Sequence, residues 1–243
     1  MGIPQIFTIT NSWYLGKFCA YTSGGTVGTR QPWQNINGYD VVPTQWPESG
    51  ANMSATGVYA WSNDADIPDV EGKGVSYTAL LEPATAKKFI IANLMLSDLV
   101  VVGVGEGKYD SIADIVDFHI GLVMDILIGD KGISPTDILY CTALPISPAT
   151  YGAIDWTNLT YKAATEANVN HNNVVAMNAV RSVIEPLGCY WADTLLDSVT
   201  AMANAQAVYD FYMDADMGMH TSTKRGSMWM DTFMKPYFRK WLA

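Results

Sequence analysis

The stretch LVVVGVGEGKYDSIADIVDFHIGLVMDILIGDKGISPTDILYCTAL, residues 99–144, decides the fold class that the sequence predicts. Its first six residues are apolar and mostly β-branched, and a glycine follows them, which is typical of a buried parallel strand. Apolar side chains then recur at helical spacing over residues 111–128, and another apolar run covers residues 137–144. A strand, a helix and a strand in this order predict a βαβ unit with a right-handed crossover.

Further elements are predicted on both sides of this unit. The sequence indicates strands over residues 5–10 and 188–193 and helices over residues 172–185, 198–213 and 228–242. The expected fold is therefore α/β, a three-layer α/β/α sandwich around a mostly parallel central sheet. One domain is expected over residues 1–243, with a long structured loop region at about 16–74, where Gly, Pro, Asn and Trp are frequent.

Composition and charge exclude several classes of partner. The chain has 243 residues and a formal net charge of -10, whereas nucleic-acid binding depends on clustered Lys and Arg, so no nucleic-acid partner is expected. The opening residues lack the pattern of a secretory signal, and the apolar stretches are too short for a membrane span. We expect a soluble protein without membrane contact, and the low charged fraction of 16% hints at work in a virion or another extracellular setting.

The sequence predicts neither a metal nor a cofactor. Cys19, Cys141 and Cys189 have no paired spacing, so buried free thiols are expected rather than a zinc site or a disulfide framework. The three histidines have no i, i+4 partner of the kind that zinc motifs use. The alternating glycines of residues 103–107 lack the spacing of a dinucleotide loop, and Glu106 stands where a phosphate would approach.

Two segments at opposite ends of the chain carry candidate catalytic residues. Ser12 follows the first predicted strand, and His220 follows two carboxylates, Asp214 and Asp216, in DADMGMHTSTKRG, residues 214–226. A serine activated by a histidine that a carboxylate orients is a recurring arrangement for acyl transfer, and only the fold brings its members together. The other histidines have ordinary roles in this interpretation. His119 is predicted to be packed in the core, and His171 is predicted to be exposed in a loop.

The order of these segments resembles that of the SGNH, or GDSL-type, serine hydrolases. Asn11 and Ser12 stand where this family has Asp and the nucleophilic Ser, and Gly218 and His220 match the spacing of its last block. The resemblance implies a flavodoxin-like sandwich and a serine esterase or deacetylase. In that enzyme Ser12 would attack the ester carbonyl, His220 would transfer the proton, and Asp216 would orient the imidazole.

The same resemblance implies donors for the oxyanion. Gly105, after the predicted strand over residues 99–104, matches the glycine of the family's third block, but Gly107 stands where the family has an asparagine. The backbone N–H groups of Ser12 and Gly105 would donate to the oxyanion. Asn11 or Asn93 would supply the missing side-chain donor, and the sequence does not choose between them.

Aromatic residues in the loop region suggest a substrate. Trp33, Trp46 and Trp61 could stack on sugar rings, which would favour an acylated carbohydrate as a small-molecule or glycan ester substrate. The alternative is that these rings pack the loop onto the domain.

A second class of function stays open beside the enzyme. Asn11, Gly107 and Met217 depart from the family's motifs, as they would in a catalytically decayed protein. The rival hypothesis is a structural or glycan-binding protein of a viral particle or another extracellular assembly, with a homo-oligomer or an assembly partner.

Overall fold

The computed structural model describes residues 5–10, 40–43, 88–92, 96, 99, 110–130, 132–142, 145–212, 225 and 228–243. Five strands within these ranges form one sheet. They are β1 (Gln5–Thr10), β2 (Asp40–Pro43), β3 (Lys88–Ala92), β4 (Ile138–Cys141) and β5 (Tyr190–Ala192).

The sheet has the order β2-β1-β3-β4-β5, and each of its four strand pairings is parallel. This is the strand order of flavodoxin-like doubly wound folds. The predicted α/β fold with a parallel central sheet is therefore confirmed.

Both faces of the central strands are covered. Neighbouring residues in a strand point to opposite faces, and Ile90 and Ile91 in β3 are both fully buried, as are Leu139 and Tyr140 in β4. A parallel sheet that is buried on both sides must lie between two other layers. One of these layers contains the first two long helices, α1 (Ile112–Gly121) and α3 (Val169–Ile184), which pack against each other.

Helix α1 forms where the spacing of apolar residues predicts a helix. Ile112, Ile115 and Val116 are buried on one face, and the Ser111 hydroxyl caps the first turn by accepting from the backbone N–H of Asp114 at 3.2 Å. The helix continues as a π-helix over Leu122–Asp130. Together these two segments confirm the predicted helix of the βαβ unit.

The central strand of the described sheet is not the one that the sequence predicted. The central strand is β3, Lys88–Ala92, whereas Leu99, predicted to begin the strand, is helical and buried. Residues 100–104 lie outside the described residues. A short, wholly apolar run suits a buried helix as well as a buried strand, so its pattern cannot separate the two.

Most remaining elements agree with the predictions, with shifted ends, but the predicted helix over residues 198–213 is two helices, which a turn over residues 202–204 separates. Helix α3 begins three residues earlier than predicted, and β5 lies inside the predicted last strand. The predicted loop region contains β2, a strand of four residues that was not predicted. The other helices are α2 (Pro148–Tyr151), α4 (Thr194–Ala201), α5 (Ala205–Tyr212) and α6 (Lys235–Trp241), the last preceded by a π-helix over Met230–Met234. None of the helices in the described ranges has both the length and the hydrophobicity that a membrane span requires.

Two of the cysteines are buried free thiols, as predicted, and Cys19 lies outside the described residues. Burial raises the pKa of Cys141 well above its usual value and raises the pKa of Cys189 to about 11. Because the thiolate is the reactive form, we expect neither thiol to react with Ellman's reagent in folded Cys19→Ser protein. Both should react when urea unfolds the chain. Rapid reaction of either thiol without denaturant would contradict this burial.

Candidate functional site

The carboxyl ends of the five parallel strands lie at one edge of the sheet. The strand order reverses between β1 and β3, which are adjacent, and their last residues, Thr10 and Ala92, are paired. In open α/β sheets, ligands bind outside the carboxyl ends of the strands at such a reversal. Ser12 follows Thr10 by two positions in the sequence, and Asn93 follows Ala92 directly. The candidate site is therefore the edge beyond β1 and β3.

The residues predicted to form the site lie outside the described residues. These are Asn11, Ser12, Trp33, Trp46, Trp61, Asn93, Gly105, Asp216 and His220. The structure shows the ends of β1 and β3, which Ser12 and Asn93 follow in the sequence. It also shows the described elements around the same edge.

His119 has the core position that the sequence predicted. Its ring is fully buried, its Nδ1 lies 2.5 Å from the Tyr140 hydroxyl, and it meets the rings of Phe118 and Tyr140 edge to face. Tyr140 in turn stacks on Trp191 with ring centroids 5.1 Å apart. These contacts link α1 to β4 and β5, so His119 serves packing.

The prediction for His171 was wrong, because this residue is fully buried in the first turn of α3. Its Nδ1 accepts from the backbone N–H of Asp155 at 3.1 Å, and its Nε2 lies 2.8 Å from the carbonyl oxygen of Thr160. A carbonyl can only accept, so Nε2 carries the proton and the ring is neutral. His171 therefore fastens the loop after β4 to the helix.

Two asparagines beside His171 also hold the loop after β4, a role that the sequence did not predict. Asn170 accepts from the backbone N–H of Ile146 and donates to the carbonyls of Ile146 and Gly152, at 2.7–3.0 Å. Asn172 accepts from Lys162 N–H at 2.9 Å and donates to its carbonyl at 3.3 Å. Buried loop backbone needs such partners, and the run Asn-His-Asn-Asn at the start of a helix was the available signal.

The ends of β4 and β5 are tied together by two buried threonines. The Thr194 hydroxyl donates to the Thr142 carbonyl at 2.8 Å, and the Thr142 hydroxyl accepts from the backbone N–H of Leu195 at 2.9 Å. These bonds attach the first turn of α4 to the end of β4. Both hydroxyls are engaged with backbone groups, so this pair holds the edge of the sheet in place.

A group of charged side chains links α3 to α4. Arg181 donates to Asp193 at 3.0 Å and to Glu185 at 2.8 Å, and its guanidinium lies 5.8 Å from the Trp191 ring centroid. Arg181 lowers the pKa of Glu185. Burial nevertheless raises the pKa of Asp193, with the nearby Arg181 opposing the shift.

The raised pKa of Asp193 predicts an effect on stability. The folded state holds this proton more tightly than the unfolded state, so ionised Asp193 costs stability as the pH rises through its folded pKa. We expect Asp193→Asn to unfold at a higher urea concentration than the native sequence at pH 7, with the gain disappearing near pH 4. Asp210→Asn, on the exposed surface of α5, is the matched control. An Asp193→Asn protein that is less stable at both pH values would contradict this expectation.

The C-terminal helix ends at the amino edge of the sheet. Trp241 donates through Nε1 to the carbonyl of Thr136 at 2.8 Å, and the Lys88 ammonium lies 5.1 Å from its ring centroid. Thr136 precedes β4 and Lys88 begins β3, so Trp241 lies at the amino edge. The helix over residues 228–241 is roughly 20 Å long, about the height of the sheet, so its first turn is expected near the carboxyl edge.

An apolar groove of about 590 Å³ opens between α4 and the segment that contains α2. One wall includes Pro148, Ile154 and Trp156, and the other includes Leu196 and Val199. The bond from Asp155 to His171 holds the first wall beside the N-terminus of α3. Because α3 leads back to the start of β5, that N-terminus lies at the carboxyl edge, and so does this wall of the groove.

Among the described residues, no three His, Cys, Asp or Glu side chains lie close enough together to hold a metal ion.

No protein-family model matches the sequence, and no curated protein matches it. Among solved structures, phospholipase A1 from Streptomyces albidoflavus NA297 is similar over 98% of this chain and 99% of its own, with 10% sequence identity and a TM-score of 0.43.

Proposed function

We propose that this protein is a serine esterase or deacetylase of the SGNH type, with Ser12 as nucleophile, His220 as base and Asp216 as the carboxylate that orients it. One observation carries the proposal. The pairing of Thr10 with Ala92 puts the strand that leads to Ser12 beside the strand that leads to Asn93, at the reversal of the strand order. That is the place where this kind of fold binds its ligands.

The proposed reaction is acyl transfer in two steps. Ser12 Oγ forms a bond with the ester carbonyl carbon as its proton passes to His220, and the leaving alcohol takes that proton when the C–O bond breaks. Water then attacks the acyl-serine with His220 as base again, which releases the acid and restores the hydroxyl. Asp216 keeps the imidazole in the tautomer that can accept from Ser12.

The other histidines support His220 as the base. The chain contains three histidines, and the two described ones, His119 and His171, are fully buried and hydrogen-bonded. His220 precedes the helix over residues 228–241, whose first turn is expected near the carboxyl edge. That is the edge at which β1 ends, two residues before Ser12 in the sequence.

The position of β3 favours Asn93 over Gly105 as the residue that donates a hydrogen bond to the oxyanion. β3 is the strand paired with β1, and it ends at Ala92, directly before Asn93. Gly105 comes twelve positions after Asn93 in the sequence. With β3 as the strand of the family's third block, the asparagine of that block corresponds to Asn93. The backbone N–H of Ser12 supplies a second donor.

This assignment predicts different effects for two substitutions. Asn93→Ala should lower kcat for p-nitrophenyl acetate roughly a hundredfold or more, because one oxyanion donor is removed. Gly105→Ala should change kcat much less. The opposite ranking of the two variants in steady-state assays would return the oxyanion role to Gly105.

The proposed substrate class is an acylated carbohydrate, in which the sugar is the alcohol of the ester. Trp33, Trp46 and Trp61 would stack on sugar rings through their apolar faces. The sequence contains these residues between β1 and β3, the two strands that flank the candidate site.

A fluorophosphonate probe tests the proposed function. Activated Ser12 Oγ should bond to phosphorus with loss of fluoride, and mass spectrometry should find the label on the peptide that contains Ser12. Ser12→Ala and His220→Ala should abolish labelling, whereas Ser182→Ala, an exposed serine of α3, should retain it. Labelling that is absent from the native protein, or unchanged in Ser12→Ala, would count against the enzyme. Glycan binding lost in Trp46→Ala would then favour the binding protein.

A further inference from the structure

We infer that Phe211 and Arg225 position His220 by holding together the two ends of the chain segment that contains it. This inference rests on the proposed function and names two positioning residues for the same base. Both residues act through His220 and are not catalytic residues themselves. The evidence for the pair comes from described residues on both sides of the segment.

The first observation is a contact between the residues that flank the segment. Phe211 lies in the last turn of α5, and Arg225 is a helical residue shortly before the C-terminal helix. The guanidinium carbon of Arg225 lies over the Phe211 ring, 5.7 Å from its centroid. A cation at this distance from an aromatic face is attracted by the quadrupole of the ring. The two residues are therefore partners in space, although residues 212–224 separate them in the sequence.

The second observation is an aromatic contact beside the first. Tyr212, which is 6% exposed, meets the ring of Phe233 edge to face, with 6.3 Å between the centroids. Phe233 belongs to the π-helix over Met230–Met234. The end of α5 is thus joined to the C-terminal part of the chain by two neighbouring contacts, one with Arg225 and one with Phe233. Together they fix both ends of the segment.

This closure limits where His220 can lie. His220 is five positions before Arg225 in the sequence, and an extended chain spans at most about 3.6 Å per residue. The Cα atoms of the two residues are therefore within roughly 18 Å of each other. A loop with joined ends also has fewer conformations than a chain with free ends. Because a base must lie within hydrogen-bond reach of the proton it takes, separating Phe211 from Arg225 lowers the fraction of molecules in which His220 is correctly placed.

The exposure of the pair separates positioning from folding. Phe211 is 41% exposed, and Arg225 is exposed as well. Substitution of an exposed side chain leaves no cavity in the core, so the fold should be retained. An exposed cation–π contact changes an equilibrium by about two- to fivefold. We therefore expect an effect of this size on catalysis.

The experiment compares the steady-state hydrolysis of p-nitrophenyl acetate by Phe211→Leu, Arg225→Gln and the double variant. Each single variant should lower kcat by about two- to fivefold and leave KM unchanged, because the pair acts on the base and not on substrate binding. The double variant should lose no more than the larger of the two single losses, since both substitutions remove one contact.

Two further variants are the controls. Phe211→Tyr keeps an aromatic ring for Arg225 and should retain the native kcat. Lys235→Gln removes another cation from the C-terminal part of the chain, one that pairs with Asp231 at 3.1 Å, and should also retain it. Equal losses of kcat in Phe211→Leu and Phe211→Tyr would overturn the inference, because the ring would then have no role.

A second readout does not require enzymatic activity. The protease Asp-N cuts before aspartate, and Asp214 and Asp216 lie within the segment. Under native conditions, Phe211→Leu and Arg225→Gln should speed cleavage at these sites about two- to fivefold, because the population with open ends rises, and Phe211→Tyr should not.

The two readouts together separate the possible outcomes. If no ester is hydrolysed but cleavage follows the expected pattern, the proposed function fails and the pair stands as the contact that closes the segment. If hydrolysis depends on Ser12 but Phe211→Leu and Arg225→Gln keep the native kcat, the inference is overturned and the enzyme stands.

Discussion

Replacing Ser12 with alanine should lower kcat for p-nitrophenyl acetate by at least about 10³-fold. In the proposed mechanism the Ser12 oxygen forms the covalent intermediate, and without it the site retains only the acceleration that oxyanion donors give to attack by water. His220→Ala should cause a loss of similar size. The double variant should lose no more than either single variant, because the two groups act as one unit.

Controls separate this loss from misfolding. Ser182→Ala removes an exposed hydroxyl that donates to the carbonyl of Ala179 within α3, and it should retain full activity. Ser12→Ala should keep the urea midpoint of the native sequence. Equal rates for the native protein and Ser12→Ala would remove the enzyme hypothesis and leave the structural or glycan-binding protein.

Asn170→Ala should destabilise the fold by about 3–5 kcal/mol. Asn170 is buried and makes three hydrogen bonds, two with Ile146 and one with the carbonyl of Gly152. Alanine leaves all three backbone groups without these partners, and each buried group that loses its partner costs about 1–3 kcal/mol. For a domain of this size the melting temperature should fall by roughly 10 °C.

Asn168→Ala is the matched control, two residues earlier in the chain. Its amide donates to the carbonyl of Ala163 and the hydroxyl of Thr165 in exposed positions, where water can replace it. We expect a loss of about 1 kcal/mol or less. Similar losses for the two variants in urea unfolding would show that Asn170 does not fasten the loop after β4.

The sequence predicted those elements whose patterns are local. Helix α1 has both an apolar face and a capping serine, Ser111, and its prediction is confirmed. β4 and β5 are short buried runs next to turn residues, and they are confirmed too. β2 was missed because four residues, ending in Pro43, carry too little pattern within a region rich in turn residues.

Elements that depend on distant contacts could not be predicted in this way. His171 is buried because it bonds with Asp155 and Thr160, residues that the loop brings back to the helix. Its asparagine neighbours suggested a solvated loop, and nothing local shows that backbone groups would come to meet them. The choice between residues 88–92 and 99–104 as the central strand likewise depends on pairing with β1 and β4.

For the candidate site, the sequence suggested which residues could be catalytic. The order of the strands in the sheet then gave a reason to expect two of these residues close together. Ser12 and Asn93 follow adjacent strands, a relation that no sequence spacing expresses. The groove beside α4 was not foreseen, since its walls come from segments separated by about 50 residues and each wall has few apolar side chains of its own.

The most direct test of the account is the distance from Ser12 Oγ to the nearer ring nitrogen of His220 in a crystal structure of the protein. The account predicts a hydrogen bond of about 2.6–3.2 Å, or slightly longer without substrate, beyond the carboxyl ends of β1 and β3. A separation of more than about 10 Å, with the two side chains in well-ordered segments at different edges of the sheet, would contradict it.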